Sequence, residues 1–471
     1  MADSAAPLLA TLRAIVGEAN VLTADADVDP YVTDWRGRYR GRTRAVVRPG
    51  TTAEVSAVVR SCGEHGVPIV PQGGNTGLCG GATPHESGEE IVVSLARLAR
   101  VRAIDAANAT LTVEAGVPLA RVQQTAADAG LFFPLSLAAE GSCAIGGNLS
   151  TNAGGTAVLR YGTARELVLG LEVVLADGRV WESLKGLRKD NTGYDVKQIF
   201  LGSEGTLGII TAAVLKLFPK PQTSATAFAA LAGIDAAIAL LGDLRQSLGD
   251  RLTGFELISR ECIDLTRKQF PAFADPLPGH AWYALIQADD SAADSAIPAQ
   301  IETALAAAIE QETARDAVIA RSSAQAAALW TLREHIPEAQ RREGANIKHD
   351  ISLPVSHIPV FLDAAQEQLN AALPGVRYVV FGHLGDGNLH YNLSAPSGAS
   401  ASAFLDEAPR ANRIVYDLVA AHGGSFSAEH GIGQLKREEM SRYKPAIEVE
   451  LMRRIKHALD PDALLNPGKV L

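Results

Sequence analysis

The chain has 471 residues, 47% of them apolar, enough to bury more than one core and to form two to four domains. Lysine and arginine number 43 against 53 aspartate and glutamate, so a net charge of -10 leaves no broad cationic surface for a phosphate backbone and excludes nucleic acid as a main partner. The cysteines Cys62, Cys79, Cys143 and Cys262 form neither a CxxC pair nor a disulfide framework, which points to a reducing, cytoplasmic setting.

The opening "MADSAAPLLATLRAIVGEA" has early acidic residues and no basic leader before an uninterrupted apolar core, so it predicts a short surface helix rather than a signal peptide. Over 44–218, Val/Ile runs such as "RAVVRPG", "VPIVPQGG", "IVVSLARL" and "LVLGLEVVLADGRV" alternate with glycine turns, and the helical stretches "TTAEVSAVVRSCGEHG" and "PLARVQQTAADAG" lie between them. That pattern predicts α/β or α+β layers. The stretch "GTLGIITAAVLKLF" is broken by Thr and Lys, and no run reaches the roughly 18 apolar residues of a membrane span.

"PKPQTS" at 219–224 punctuates the pattern. Beyond it come alanine-rich helices, "AADSAIPAQIETALAAAIEQE" and "SSAQAAALWTLREHIPEAQRREG", alternating with strands such as "HAWYALIQAD" and "VRYVVFGHLG". The apolar positions keep no sustained heptad, so these are packed amphipathic helices rather than a coiled coil. The tail from "ANRIVYDLVAAHGG" through "SFSAEHGIGQLKREEMSRY" to "LLNPGKVL" reads as mostly helical.

Three glycine-dense loops fall in the first half: "PQGGNTGLCGG" from 71, "GSCAIGGNLSTNAGGTAVLRYG" from 141 and "GSEGTLGIIT" from 202. None is a GxGxxG opening a helix and there is no GxxxxGK[ST], so a Rossmann site or a P-loop is poorly supported. A single such loop reads as a tight turn, whereas three in one domain point to a pyrophosphate held by backbone N–H groups.

In "FGHLGDGNLHYNL", His383 closes a strand and His390 lies on the return strand, so a hairpin can bring them together. "SAEHGIG" adds Glu429 and His430. Two histidines and a carboxylate make a common catalytic zinc set, but the spacing alone leaves three readings open: metal ligands, surface or supporting residues, and substrate contacts. Arg333 and Lys348 are either a solvated helix charge and an edge-strand lysine, or cationic donors for a carboxylate.

The segments "VRPGTTAEVSAVVRSCGEHGVPIVPQGGNTGLCGG", "AIGGNLSTNAGG", "RYG" and "LGSEGTLGIIT" resemble the FAD-binding domain of vanillyl-alcohol-oxidase-type flavoproteins. The second half resembles their FAD-linked oxidase C-terminal domain, in the D-2-hydroxyglutarate and D-lactate dehydrogenase branch, and the resemblance covers about 25–471. It implies an α+β fold: a FAD-binding domain of two α+β subdomains over 1–218, a substrate domain over 219–420 with an antiparallel sheet flanked by helices, and a helical segment, 421–471, packing back on the FAD domain.

The same resemblance implies one FAD. Its pyrophosphate falls to the loop Gln72, Gly73, Gly74, Asn75, Thr76 and Gly77 and to Gly141, Ser142, Gly146 and Gly147, with Pro71 as an adjoining cofactor contact. Ser136, Ser150, Thr151, Asn152, Gly154 and Gly155 carry over as further contacts, with Glu204, Gly205, Ile210 and Asn466. Many relatives with covalent flavin have histidine where Asn75 stands, so non-covalent FAD is expected.

It also implies His383, His390 and Glu429 as ligands of Zn²⁺ or another divalent transition metal, His430 as catalytic base, and Arg333, Lys348 and Asn392 as substrate contacts. The implied reaction is oxidation of D-2-hydroxyglutarate, or D-malate, to the 2-oxo acid, with electrons passed to an external acceptor such as an electron-transfer flavoprotein or a quinone. A homodimer is compatible with this reading. Pro337 stands where related dicarboxylate enzymes carry a threonine; it lacks that donor, which keeps D-lactate or glycolate open as substrate. A flavin-binding electron-transfer subunit and a metal-dependent binding module are the readings of other classes.

Overall fold

The computed structural model describes residues 5–471, so the first four residues of the expected N-terminal helix lie outside the described residues. The described part, Ala5–Val16, buries Leu8, Leu12 and Val16 at intervals of four, the spacing of one helix face. The chain divides into two compact units: residues 1–155, 162–220 and 429–471 form one, and 156–161 with 221–428 form the other. Among the described residues no helix is long and apolar enough to cross a membrane, and the four cysteines are buried with no disulfide between them.

Among the described residues the first unit holds two main sheets, besides a two-stranded pairing of Leu131–Phe132 with Phe218–Pro219. In the smaller, strands Ile69–Gln72, Ile91–Ser94 and Val46–Val47 run parallel, and Val21–Leu22 closes the edge antiparallel. Helix Thr52–Glu64 covers it with Val55, Val58, Val59 and Cys62. Thr51 caps this helix by accepting from the Glu54 N–H at 3.1 Å, while the Glu54 carboxylate reaches back to the Gly50 N–H at 2.7 Å. The chain end belongs to this unit: Ile69 and Asn466 exchange backbone bonds with the edge, Ile69 N–H to Leu464 C=O at 2.8 Å and Asn466 N–H to Ile69 C=O at 2.7 Å.

The second sheet of this unit is antiparallel, ordered Val101–Asp105, Thr110–Glu114, Ile209–Lys216, Val168–Val174, Val180–Ser183. Glu114 and Glu172 are buried in it and paired: Arg100 and Arg102 reach Glu114, and Arg102, Thr52 and Thr211 reach Glu172. Burial pushes both carboxyls up, but the hydrogen bonds from Arg100 to Glu114 and from Arg102 to Glu172, with their neighbours, outweigh it and hold both below the ordinary range. A depressed carboxyl stabilises the fold fully above its unfolded pKa of about 4.3 and loses that contribution as pH falls through the folded value. The urea midpoint is therefore expected to drop between neutral pH and about pH 3, and Glu114→Gln is expected to flatten that dependence; equal slopes in both proteins would contradict the pairing.

The second unit is built on an eight-stranded antiparallel sheet, in the order Ala314–Ile319, Thr223–Leu231, Trp282–Asp290, Leu252–Ser259, Arg377–His383, Asn388–Ser394, Asn346–Ile347, with Asp350–Ser352 also on Asn388–Ser394. One face packs Phe228, Ile258, Leu285 and Phe381 under helices Arg260–Gln269, Ser323–Glu334 and Ile336–Glu343. Helices Ile234–Leu248 and Ile297–Glu310 pack against each other and on strand Thr223–Leu231. That strand is buried at seven consecutive positions, which is why the period of two was obscured in its sequence.

Two differences from the sequence reading have local causes. "SSAQAAALWTLREHIPEAQRREG" is two helices, broken at His335, because Pro337 has no N–H to continue the first helix and suits the opening turn of the next. In the tail, helix is confined to Ala408–Ala421, Arg437–Tyr443 and Ala446–Leu459, while Gly423, Gly424, Gly431 and Gly433 keep 422–436 in turns and loop.

Candidate active site

In the first unit the three glycine loops converge. An added Cβ at Gly74 would lie 2.0 Å from the Ser142 carbonyl oxygen, and one at Gly73 would meet Ala144 at 3.3 Å, so the 72–77 loop runs directly along 141–147. The 202–205 segment docks on the same ground: Glu204 N–H donates to Ser150 C=O at 2.8 Å, and Pro71 packs at Gly205. Gly155 closes on the Ser136 carbonyl, and Ile210 lies buried on the central strand of the five-stranded sheet.

Gly77, Gly141 and Gly147, by contrast, border open space, with no atom within 4 Å of an added Cβ. Bare backbone beside open space, backed by tightly packed neighbours, is the form of a cradle for a phosphate-bearing cofactor. The buried Asn466 donates to Gly81 and Glu204 carbonyls at 2.9 and 2.8 Å, leaving its Oδ1 without a partner among the described residues. These residues fit FAD. Several of the polar groups are engaged internally: Asn75 donates to Pro30 and Thr33 carbonyls, Asn152 accepts from Thr163 and Arg165, and Thr151 donates to Gly147. Gln72 donates to Tyr31 and Ala82 carbonyls, Ser136 to Glu140, and Ser142 to Ala139. Their work is to hold the loop shape that presents backbone N–H groups. Gly74→Ala, which forces a carbon onto the Ser142 carbonyl, is expected to yield protein that has lost its FAD absorbance; retention of stoichiometric FAD would show that the two loops can separate.

His430 lies in the 422–436 loop, pinned on both sides within this unit. Upstream, the Glu429 carboxylate accepts from the Gly155 N–H at 3.0 Å. Downstream, the Glu204 carboxylate accepts from the N–H groups of Ile432 and Gly433 at 2.7 and 2.9 Å.

In the second unit, His383 ends strand Arg377–His383 and His390 sits on Asn388–Ser394, the two joined by a tight turn that Gly387 closes at φ 83. Glu256 pairs with His383, Ile258 with Phe381 and Phe381 with His390, so these side chains and Asn392 share one sheet face. The two imidazoles stand 6.0 Å apart, centroid to centroid. Glu256 binds His383 Nδ1, and Asp350 Oδ1 lies 3.9 Å from His390 Nδ1. The Glu256 bond to His383 Nδ1 leaves Nε2 on the far side of that ring. The donor set fits a divalent ion.

Arg333 is 8% exposed, its Nε donating to Glu256 at 2.7 Å and its guanidinium lying 4.8 Å over the Phe381 ring. Its terminal nitrogens make no hydrogen bond among the described residues. Burial pushes the Glu256 carboxyl up, but Arg333 and then His383 overcome it and hold it at about 2. Asn392 is buried, accepting from the His349 N–H at 3.1 Å and donating to Gln340 at 3.0 Å, and Lys348 lies between two short strands that pair with Asn388–Ser394.

The sequence reading missed Glu256 and Asp350. The signal for Glu256 was present: it is the one charged residue in "LTGFELIS", a strand buried at every position.

A model of FAD linked oxidases, C-terminal domain, matches residues 220–470, and one of an FAD binding domain matches 43–183. The D-2-hydroxyglutarate dehydrogenase of Xanthomonas citri pv. viticola is 40% identical over 468 residues, covering 98% of this chain and 97% of that protein. The mitochondrial D-2-hydroxyglutarate dehydrogenase of Bos taurus is 39% identical, over 98% of this chain and 83% of that one. Among solved structures, substrate-bound p-cresol methylhydroxylase has a TM-score of 0.77 at 18% identity, covering 100% of this chain and 97% of that one, a likeness of fold. The chain is an FAD-dependent oxidoreductase of the vanillyl-alcohol-oxidase fold and belongs to the family of FAD-linked oxidases that includes the D-2-hydroxyglutarate dehydrogenases.

Proposed function

We propose that the protein oxidises D-2-hydroxyglutarate to 2-oxoglutarate. The observation that carries the reading is Arg333: a buried guanidinium, reaching from helix Ser323–Glu334 over Phe381 of the sheet that carries the paired histidines, whose terminal nitrogens find no hydrogen bond among the described residues. Its rigid fork matches a carboxylate, and the near-full-length identity to enzymes of that name supports the choice of substrate.

In this reading Arg333 binds one carboxylate of the substrate and Lys348 neutralises the other. His383, His390 and Glu429 would hold a divalent metal, zinc by their nitrogen and oxygen donors, which would supply Lewis acidity to the hydroxyl and carboxylate. Glu429 directly follows Ala428, whose N–H donates to Asp350 C=O, and Asp350 is the register partner of His390. The glycine cradle of 72–77 and 141–147 would hold FAD, which would supply the hydride acceptor, with an external acceptor such as an electron-transfer flavoprotein or a quinone as the final destination of the electrons. His430 takes the hydroxyl proton, a role suited to imidazole near neutral pH. Asn392, locked by His349 and Gln340, contributes a fixed polar wall.

Anaerobic stopped-flow reduction of the purified flavoprotein by D-2-hydroxyglutarate, D-malate, D-lactate and the L-enantiomers tests this directly. Rapid bleaching by D-2-hydroxyglutarate that a chelator abolishes is the expected result. Preferential reduction by D-lactate, or no reduction by any of them, would defeat the reading.

A further inference from the structure

The geometry points to Glu256 as a positioning residue that aims both the proposed metal ligand His383 and the proposed substrate clamp Arg333, an inference that rests on the function proposed above. A carboxylate within a strand buried at all eight positions, Leu252–Ser259, is an unfavourable way to stabilise a sheet. Well-packed apolar residues in place of a buried ion pair are often neutral or stabilising. Its placement is explained by what each oxygen does.

Oε1 binds His383 Nδ1, which sets the tautomer, fixes the ring about its Cβ–Cγ bond and leaves Nε2 on the far side of the ring. Oε2 accepts from Arg333 Nε at 2.7 Å, which occupies the inner edge of the guanidinium and leaves the terminal nitrogens for an incoming carboxylate. The Phe381 ring, 4.8 Å beneath the guanidinium carbon, fixes its plane. Strand register makes this possible: Glu256 is the direct neighbour of His383 across the sheet. One side chain thus sets the angle of a metal ligand and of an anion donor. A change there should be felt in metal affinity and in substrate affinity together.

The test uses the full chain as the FAD-loaded protein, stripped of metal and titrated with Zn²⁺ against a chromophoric chelator, for wild type, Glu256→Gln, Arg333→Met and the double variant E256Q/R333M. Glu256→Gln is expected to weaken zinc binding by about 10- to 100-fold and, at saturating zinc, to raise KM for D-2-hydroxyglutarate more than it lowers kcat. Arg333→Met alone is expected to raise KM and leave zinc affinity within a few-fold of wild type. The double variant has no uncompensated buried charge, so it guards against misfolding of the single one; it is expected to keep the zinc defect. Zinc affinity equal to wild type in Glu256→Gln, or restored in the double variant, would overturn the positioning role and show that the carboxylate serves only to neutralise Arg333. Wild-type protein that binds no zinc would instead overturn the metal reading itself, before any variant is compared.

Discussion

Replacing His430 with alanine is expected to slow flavin reduction by D-2-hydroxyglutarate by about 100- to 10,000-fold, the span that a positioned general base contributes, while bound metal stays close to the wild-type level. The loop that carries it is held independently of the imidazole: Glu429 is anchored on the Gly155 N–H, and Ile432 and Gly433 are anchored on the Glu204 carboxylate. Removing the ring should therefore delete a proton acceptor without releasing the backbone around it. Single-turnover absorbance at the flavin band reads the chemical step, and elemental analysis of the same sample reads the metal. An unchanged reduction rate would remove His430 from the role of base.

Arg333→Ala should have the largest effect on stability. The substitution leaves Glu256 buried in the sheet with His383 as its remaining hydrogen-bond partner among the described residues, and breaking a buried ion pair from one side costs about 3–5 kcal/mol. It also removes the fork proposed to receive the substrate carboxylate, so KM should rise with the fall in denaturation midpoint. Arg333→Lys separates the two effects: a lysine restores the charge beside Glu256 but not the planar fork, so it should recover much of the stability and little of the substrate affinity. Stability unchanged in Arg333→Ala would mean that Glu256 is satisfied without it.

The chain's fold was largely readable from local pattern, because glycine turns and Val/Ile runs report the first unit strongly. Helix Thr52–Glu64 carries its cap and its apolar spacing in plain view. Pro337 was noted as a missing donor in the sequence, although its structural consequence, a helix break, follows from the same missing N–H. Glycines in the 422–436 stretch likewise argued against the helix that its flanks suggested. The candidate site was readable where residues are close in sequence, as with His383 and His390 on one hairpin. It was not readable where it depends on register between strands distant along the chain. Nothing in the local composition pairs Glu256 with His383, 127 positions away, or with Arg333, 77 away.

Gly154 ties two features of the first unit into one mechanical part. A methyl group at 154 would stand 2.6 Å from Glu429 Oε1, the same oxygen that accepts from the neighbouring Gly155 N–H. The rear of the cofactor loop and a proposed metal-binding carboxylate therefore share a wall one atom thick. Efforts to re-engineer this enzyme for another flavin or another metal would meet at that wall, and neither could be tuned there without disturbing the other.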